Sequence, residues 1–335
     1  MWSPLASASI VFLILYLFLF AFLVALFALR KVPWKSRWLV LLLHVLCRLA
    51  SQACGLAFGI VGYSNIDVLV AYYVLGAEGY FTLVVCLSRY LIAWQRQHWR
   101  GYSWMEPVDP YAPKHGKAKL RFKQLFEWKE SKDEPKSAHA LLVVDWLLIA
   151  ANVIIIVGGS LSAAAYTNSD LTYTQREDKL KTSRGMRAAG QAVFLVINVL
   201  LLVCIVVSMQ QHRQHRFDNG APNRQENEPA QDQKPLPGQS VDQSERRPWY
   251  GHKTLALIYL TWPFLAVRGI FGVAQAVVPD LNYFNSEVYD ANNLTQQFVT
   301  EETCMVTMME FISATLIALT YFTTRSEHHT ARAIP

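Results

Sequence analysis

The chain has 335 residues, of which 53% are hydrophobic and 17% are charged, and its formal net charge is +6. A soluble globular domain is about 45–50% apolar and about 25% charged, so this composition argues against an ordinary soluble domain. The apolar residues stand in seven long blocks, and the charges lie in the gaps between them. Basic residues in such gaps are favoured by anionic lipid, and we therefore predict no nucleic-acid partner.

Each of the seven blocks has the length of about 20 residues that a helix needs to cross a bilayer. The first block is read as a retained span because no basic residue precedes it and no small-residue cleavage site follows it. We predict an all-α fold, a single membrane domain built as a seven-helix transmembrane bundle. Its spans are predicted at 5–29, 38–62, 68–94, 138–165, 187–209, 255–278 and 303–323.

The distribution of Lys and Arg predicts how the spans are oriented. Basic residues crowd into the first, third and fifth gaps and the C-terminal tail, whereas the second and sixth gaps hold none. Basic segments stay in the cytosol, so the N-terminus is expected outside or in a lumen and the C-terminus in the cytosol, in the plasma membrane or an endomembrane. The N-x-S/T sequence at Asn293 lies in an outside gap, which makes Asn293 a candidate glycosylation site.

Two cytosolic segments could dock a cytosolic protein. Residues 95–137 form a loop too long for a tight connection, and aromatic, apolar and basic residues around 118–129 predict a short helix on the membrane surface. A partly ordered charged loop is the alternative. Residues 212–250 are rich in Gln, Asn, Pro and charge and are predicted to be disordered, either as a docking platform or as a passive linker.

Polar residues recur at helical spacing inside the apolar spans. Thr261, Arg268 and Gln275 are seven residues apart in the sixth span and therefore share one helix face. Because polar groups are costly in lipid, such faces should turn toward a common interior. The candidate interior residues are His44, Arg48, Glu78, Asp145, Asn152, Asn198, Arg268 and Glu310.

The depth of each charge, counted at about 1.5 Å per residue, predicts its partner. Counted from the predicted span ends, Arg268 and Glu310 fall at similar depths, and we predict that they pair. Arg48 is predicted to pair with Glu78, and Asp145 to lie within reach of Arg89. Such pairs could be structural, fixing the register of the helices, or they could line a ligand cavity or relay protons.

The sequence resembles two groups of seven-helix proteins. Ser88-Arg89-Tyr90 and Trp262-Pro263 resemble motifs of G-protein-coupled receptors, but the outer-loop cysteine bridge and the Asn-Pro-x-x-Tyr motif are missing. HVLCRLASQACGLAFG, VLGAEGYFTLVVCLSRYL, WPFLAVRGIFGVAQ and MMEFISATLIALTYFTTR are similar to a family of fungal seven-helix membrane proteins over about a quarter of the chain. That resemblance implies a seven-helix topology and a fungal origin, and it implies no activity.

The favoured hypothesis is a non-enzymatic sensor or carrier for an amphipathic small molecule or lipid. The alternatives are a receptor-like protein and an intramembrane enzyme, such as an isoprenoid cyclase with Glu78, Asp145 or Glu310 as proton donor. The sequence carries neither a nucleophile elbow nor a phosphate-binding glycine loop, and its five cysteines match no zinc spacing. We therefore predict no cofactor, no metal and no catalytic residues.

Overall fold

The computed structural model describes residues 3–34, 36–99, 103–105, 136–167, 171–220, 252–283, 288–290 and 294–332. The predicted surface helix around 118–129 and the candidate glycosylation site Asn293 lie outside these residues. The regular elements in the described ranges are helices, and Tyr289 and Leu294 form one isolated antiparallel bridge.

Seven helices are long and apolar enough to cross a membrane, which agrees in number and place with the seven predicted spans. The seventh helix, α7, is continuous through three parts: Gln296–Glu302, a π-helical turn at Thr303–Met308, and Met309–Arg332. The first six are α1 (Pro4–Ala28), α2 (Arg37–Val61), α3 (Ile66–His98), α4 (Lys136–Thr167), α5 (Tyr173–Gly220) and α6 (Lys253–Val277).

Local chemistry sets where several of these helices begin and end. The Ser3 hydroxyl accepts a hydrogen bond from the Ala6 amide at 3.1 Å, and Pro4 occupies the first turn of α1. Thr295 caps α7 in the same way by accepting from the Phe298 amide. After α2 the chain turns at Gly62, whose φ of 64° is a left-handed conformation that favours glycine.

Helix α5 is much longer than predicted. It has 48 residues, about 72 Å at 1.5 Å per residue, and this is more than twice the thickness of the hydrocarbon. It begins at Tyr173, whereas the predicted span begins at residue 187. The prediction starts too late because residues 173–186 are mostly polar and carry no hydropathy signal for a span. It also continues to Gly220, so residues 212–220 of the segment predicted to be disordered are helical.

Helix α3 occupies the middle of the bundle. It packs against α2, α4, α5, α6 and α7, and most helices that are adjacent in sequence also pack side by side. Large apolar side chains cover the outer surface, where Phe18 is 71% exposed, Val196 60% and Ile270 59%. Buried polar side chains lie inside. This apolar outer surface, around an interior in which polar side chains lie among a hydrophobic core, is compatible with a multi-pass membrane protein.

Candidate functional site

One carboxylate lies between two guanidinium groups at the centre of the bundle. Arg268 Nε lies 2.7 Å from Glu310 Oε1, as the sequence predicts, and Arg48 Nε lies 3.1 Å from Glu310 Oε2. The three side chains are at most 4% exposed. We call Arg48, Glu310 and Arg268 the charged triad. It joins α2, α6 and α7, and it gives both buried arginines the same counter-ion.

Neighbouring side chains support the two arginines of the charged triad. Arg48 Nη2 donates to Thr307 Oγ1 at 3.0 Å, and Thr307 belongs to the π-helical turn of α7. The guanidinium carbon of Arg268 lies 5.3 Å from the centre of the Tyr80 ring, and that of Arg48 lies 6.0 Å from the Tyr16 ring. A cation over an aromatic face is stabilised by the ring quadrupole, so both cations have aromatic as well as ionic partners.

Gly79 lets α3 approach the charged triad closely. A Cβ atom built on Gly79 would lie 2.4 Å from Glu310 Oε2 and 2.9 Å from Arg48 Cδ, which is too short for any side chain. The Gly79 carbonyl lies 3.1 Å from His44 Nδ1, and Thr82 Oγ1 lies 3.0 Å from the same nitrogen. His44 therefore links α2 to α3 next to the charged triad. Its Nδ1 atom pairs with Gly79 and Thr82 and not with Glu310.

A small cavity, about the size of one water molecule, adjoins the charged triad. Arg48 and Arg268 line it together with residues from α3, α6, α7 and the connection after α6, namely Tyr72, Tyr73, Gly76, Ala77, Gln275, Tyr283, Glu302 and Val306. We call this space the triad cavity. Glu302 brings a second carboxylate that is only 7% exposed, and the sequence analysis did not single it out.

Arg268 Nη1, Gln275 Nε2 and Glu302 Oε2 belong to residues that line the triad cavity and make no hydrogen bond among the described residues. The Glu302 carboxyl group nevertheless has the Tyr72 phenol as a hydrogen-bond partner. A buried polar group without a partner costs about 1–3 kcal/mol. The cavity is therefore polar on one side and offers both donors and an acceptor, whereas Ala77 and Val306 make another part of its wall apolar.

The connection after α6 closes the triad cavity on the side of the α6–α7 loop. The Tyr283 ring stacks on Tyr73 at 4.0 Å between ring centres. Arg187 on α5 donates to Asn282 Oδ1 at 2.8 Å, and its guanidinium carbon lies 5.6 Å from the Tyr283 ring centre. Burial raises the pKa of the Tyr283 phenol, while the nearby Arg187 charge lowers it, so this phenol stays protonated at neutral pH.

The predicted pair of Arg48 and Glu78 is wrong. Arg48 is held by Glu310, whereas Glu78 Oε1 accepts a hydrogen bond from Asn152 Nδ2 at 2.8 Å. Glu78 lies at a suitable depth, but it is next to Gly79 in sequence and therefore about 100° away around α3. Gly79 faces the charged triad, so Glu78 faces α4.

The other predicted candidates lie away from the charged triad. Asp145 Oδ2 accepts from Arg89 Nη2 at 2.9 Å, as the sequence predicts, and both side chains of this α3–α4 pair are 28% exposed. Asn198 is fully buried on α5, and its backbone carbonyl accepts from Trp262 Nε1 at 2.8 Å. The structure thus gathers Arg48, Arg268, Glu310 and, at their edge, His44.

Within the described ranges, no three His, Cys, Asp or Glu side chains are placed to hold a metal ion. Glu302, Tyr72 and Tyr283 also line the triad cavity and are not among the candidates that the sequence predicts. Comparison with protein-family models, with curated proteins and with solved structures finds no match to this chain.

Proposed function

We propose that this chain is a multi-pass membrane protein that acts as a non-enzymatic sensor or carrier for an amphipathic small molecule or lipid. The polar part of that ligand binds in the triad cavity. The observation that carries this proposal is the buried polar lining of the triad cavity, in which Arg268 Nη1 and Gln275 Nε2 have no hydrogen-bond partner among the described residues.

A structural role alone accounts for the charged triad less well. Helix register needs only the two ion pairs to Glu310, at 2.7 and 3.1 Å. It does not need a polar cavity beside them, where Gln275 Nε2 and Arg268 Nη1 add desolvation cost without a compensating bond among the described residues. A ligand that satisfies these atoms would offset that cost, which favours a binding site over a purely structural device.

The enzyme alternative is supported less by the geometry. An intramembrane cyclase needs a carboxylic acid that can give its proton to an apolar substrate. Both oxygens of Glu310 face guanidinium groups, Glu78 is engaged by Asn152, and Asp145 is engaged by Arg89. Within the described residues, each of these three carboxylates is therefore engaged by a polar or charged side chain.

The charge distribution supports an orientation for the chain. The basic first, third and fifth gaps would lie in the cytosol, so the N-terminus would be outside or lumenal and the C-terminus cytosolic. The triad cavity lies toward the outer half of the membrane in that orientation, because it adjoins the α6–α7 connection. Asn293 in that connection would then be accessible to glycosylation, in the plasma membrane or an endomembrane.

The resemblance to fungal seven-helix membrane proteins supports the same topology, and we propose a fungal origin on that ground. The cytosolic segments 95–137 and 212–250 would then be the surfaces on which a cytosolic protein docks. A sensor needs such a surface and a carrier does not, so a partner captured there would favour the sensor.

The experiment that tests binding is native mass spectrometry of the protein released from lipid nanodiscs. We expect the wild-type protein to retain an amphipathic small molecule or a lipid. Gln275→Leu removes one unpartnered donor of the triad cavity without touching either ion pair, so it should lose that molecule and remain folded. The matched control is Arg89→Gln, which alters a partly exposed ion pair outside the cavity, and this variant should retain the molecule.

Two results would contradict the proposal. One is a wild-type protein that retains no molecule under conditions that preserve its fold. The other is equal retention by the wild-type protein, Gln275→Leu and Arg89→Gln, because the molecule would then lie elsewhere on the surface.

A further inference from the structure

We propose that three histidines on α3, α5 and α6 form a pH-sensitive contact that separates when it is acidified. The residues are His98, His212 and His252, and we call them the histidine junction. His252 directly precedes α6, whereas the triad cavity adjoins the connection after α6, so the two sites lie at opposite ends of the bundle. The inference therefore goes beyond the proposed function and holds whether or not a ligand binds in the triad cavity.

The three imidazole rings come from different helices and lie against one another. The ring centres of His212 and His252 are 4.2 Å apart, and that of His98 lies 4.5 Å from His252 and 5.7 Å from His212. Trp94, which is 2% exposed, contacts all three rings, with ring-centre distances of 4.5, 5.5 and 5.8 Å. The histidine junction thus joins α3, α5 and α6 at one point.

Protons can reach the histidine junction and bind there. Imidazole is the side chain whose charge ordinarily changes between about pH 5 and 8. His98 Nδ1 lies 2.9 Å from the Trp94 carbonyl oxygen, and a carbonyl can only accept, so Nδ1 carries a hydrogen and Nε2 is the atom that gains a proton. All three histidines are partly exposed, so water can deliver that proton.

Acidification places like charges side by side in the histidine junction. A first imidazolium is tolerated at His98, because the Trp94 ring stacks on it and an aromatic face attracts a cation. A second imidazolium would lie within 5.7 Å of the first, where like charges repel. The packed junction therefore binds fewer protons than separated helix ends do, and a fall in pH favours separation.

The charged groups on the helices around the histidine junction do not neutralise an added imidazolium. Among the described side chains at this end they are Arg37 on α2, Arg89 and Arg96 on α3, Asp145 on α4, Arg213 on α5 and Lys253 on α6, with the phenols Tyr90, Tyr259 and Tyr321. Arg89 holds Asp145 at 2.9 Å, so the carboxylate in this set already has a counter-ion. On α7 the Thr323 hydroxyl pairs with Thr254 at 2.8 Å and adds no charge. The remaining charges are positive and add to the repulsion.

The histidine junction lies where both proposed docking segments join the bundle. His98 ends α3 within the segment 95–137, and His212 and His252 stand at the two ends of the segment 212–250. Separation of the three rings would therefore move the attachment points of both segments together. The junction couples the pH on the side that we propose to be cytosolic to the surfaces on which we propose that a cytosolic protein docks.

The test is hydrogen–deuterium exchange of the full-length protein in nanodiscs at about pH 7.5 and about pH 5.5, corrected for the intrinsic pH dependence of exchange. We expect protection of the amides around the histidine junction to fall about tenfold at the lower pH in the wild-type protein. The double variant His98→Gln with His252→Gln leaves one of the three rings, so no like charges can meet. Its protection should be the same at both pH values.

The matched control is Ser208→Ala. Gln95 Nε2 donates to Ser208 Oγ at 2.9 Å between α3 and α5 at the same end of the bundle, and this bond does not titrate. The control should lower protection by the same factor at both pH values and keep the pH effect of the wild-type protein. A purely structural role for the histidines would make the double variant behave in this way too.

Three results would overturn the inference. One is equal protection of the wild-type protein at both pH values, and another is a pH effect that persists in the double variant. If the double variant does not fold, His252→Gln removes the ring that contacts both others, and an unchanged pH effect in this single variant would be the third. Loss of ligand binding in Gln275→Leu would leave the pH effect intact, so the two proposals fail separately.

Discussion

Replacing Glu310 by glutamine is the sharpest perturbation of this bundle. The change preserves the size of the side chain but removes the counter-ion of both Arg48 and Arg268. Breaking one buried ion pair costs about 3–5 kcal/mol, and a central arginine without a partner costs at least about 2.5 kcal/mol in a membrane helix. Because two arginines lose their partner at once, we expect Glu310→Gln to lower the free energy of unfolding by about 5 kcal/mol.

Variants that remove Arg268 should lower the free energy of unfolding by less than Glu310→Gln does. Arg268→Gln leaves Glu310 held by Arg48 and should cost about 1.5–3 kcal/mol, the value of one hydrogen bond to a charged group. The double variant Arg268→Gln with Glu310→Gln should be more stable than Glu310→Gln alone, because one unpaired cation has been removed. The charge swap Arg268→Glu with Glu310→Arg should not restore stability, since the new cation would face Arg48.

The assay is unfolding by SDS titration in mixed micelles, followed by tryptophan fluorescence for the wild-type protein and each variant. The reasoning is refuted if Glu310→Gln costs less than Arg268→Gln. It is refuted equally if the double variant is less stable than Glu310→Gln alone, because no relief of an unpaired charge would then be measurable.

Two further changes test the packing and the peripheral pair in the same assay. Gly79→Ala places a methyl group against Glu310 and should cost about 1–3 kcal/mol by overpacking. Gly159→Ala is the control and should cost nothing, because no atom lies within 4 Å of its new methyl group. Equal effects of the two changes would contradict the close approach of α3 to Glu310. Asp145→Asn should cost less than about 1 kcal/mol, because that carboxylate and its partner Arg89 are each 28% exposed. A loss above 3 kcal/mol there would assign the pair a central role.

The sequence was sufficient to predict the seven membrane-length helices, because a span is defined by the composition of about 20 residues. The same signal could not predict the long extension of α5. Residues 173–186 are mostly polar, and helix formation there depends on local propensity and on packing against α4 rather than on hydropathy.

The pairing of the interior charges was only half predictable, because depth depends on where a helix begins. With the seventh span starting at residue 303, Glu310 lies about 11 Å from its end and matches Arg268 alone. Helix α7 begins at Gln296, which places Glu310 about 21 Å from that end, close to the value of about 20 Å for Arg48 in α2. The seven residues Gln296–Glu302 contain few apolar side chains, so hydropathy does not predict that the helix extends over them.

The π-helical turn of α7 explains why Glu302 escaped the sequence analysis. Residues eight apart in an α-helix are offset by about 80°, whereas residues seven apart are offset by about 20°. Regular α-helical spacing therefore places Thr303, and not Glu302, on the face of Glu310. The turn at Thr303–Met308 accommodates one extra residue, so Glu302 and Glu310 both face the two arginines across a spacing of eight.

This account of the π turn predicts opposite outcomes for the removal and the addition of one residue. Deleting Met305, whose side chain is 40% exposed, should convert the turn to α-helix and keep Glu302 on the face of Glu310. Inserting one alanine after Met305 should rotate Glu302 by about 100° and place a carboxylate against apolar neighbours. In the SDS assay the deletion should therefore be much more stable than the insertion. If both were equally damaging, the turn would not be what aligns the two carboxylates.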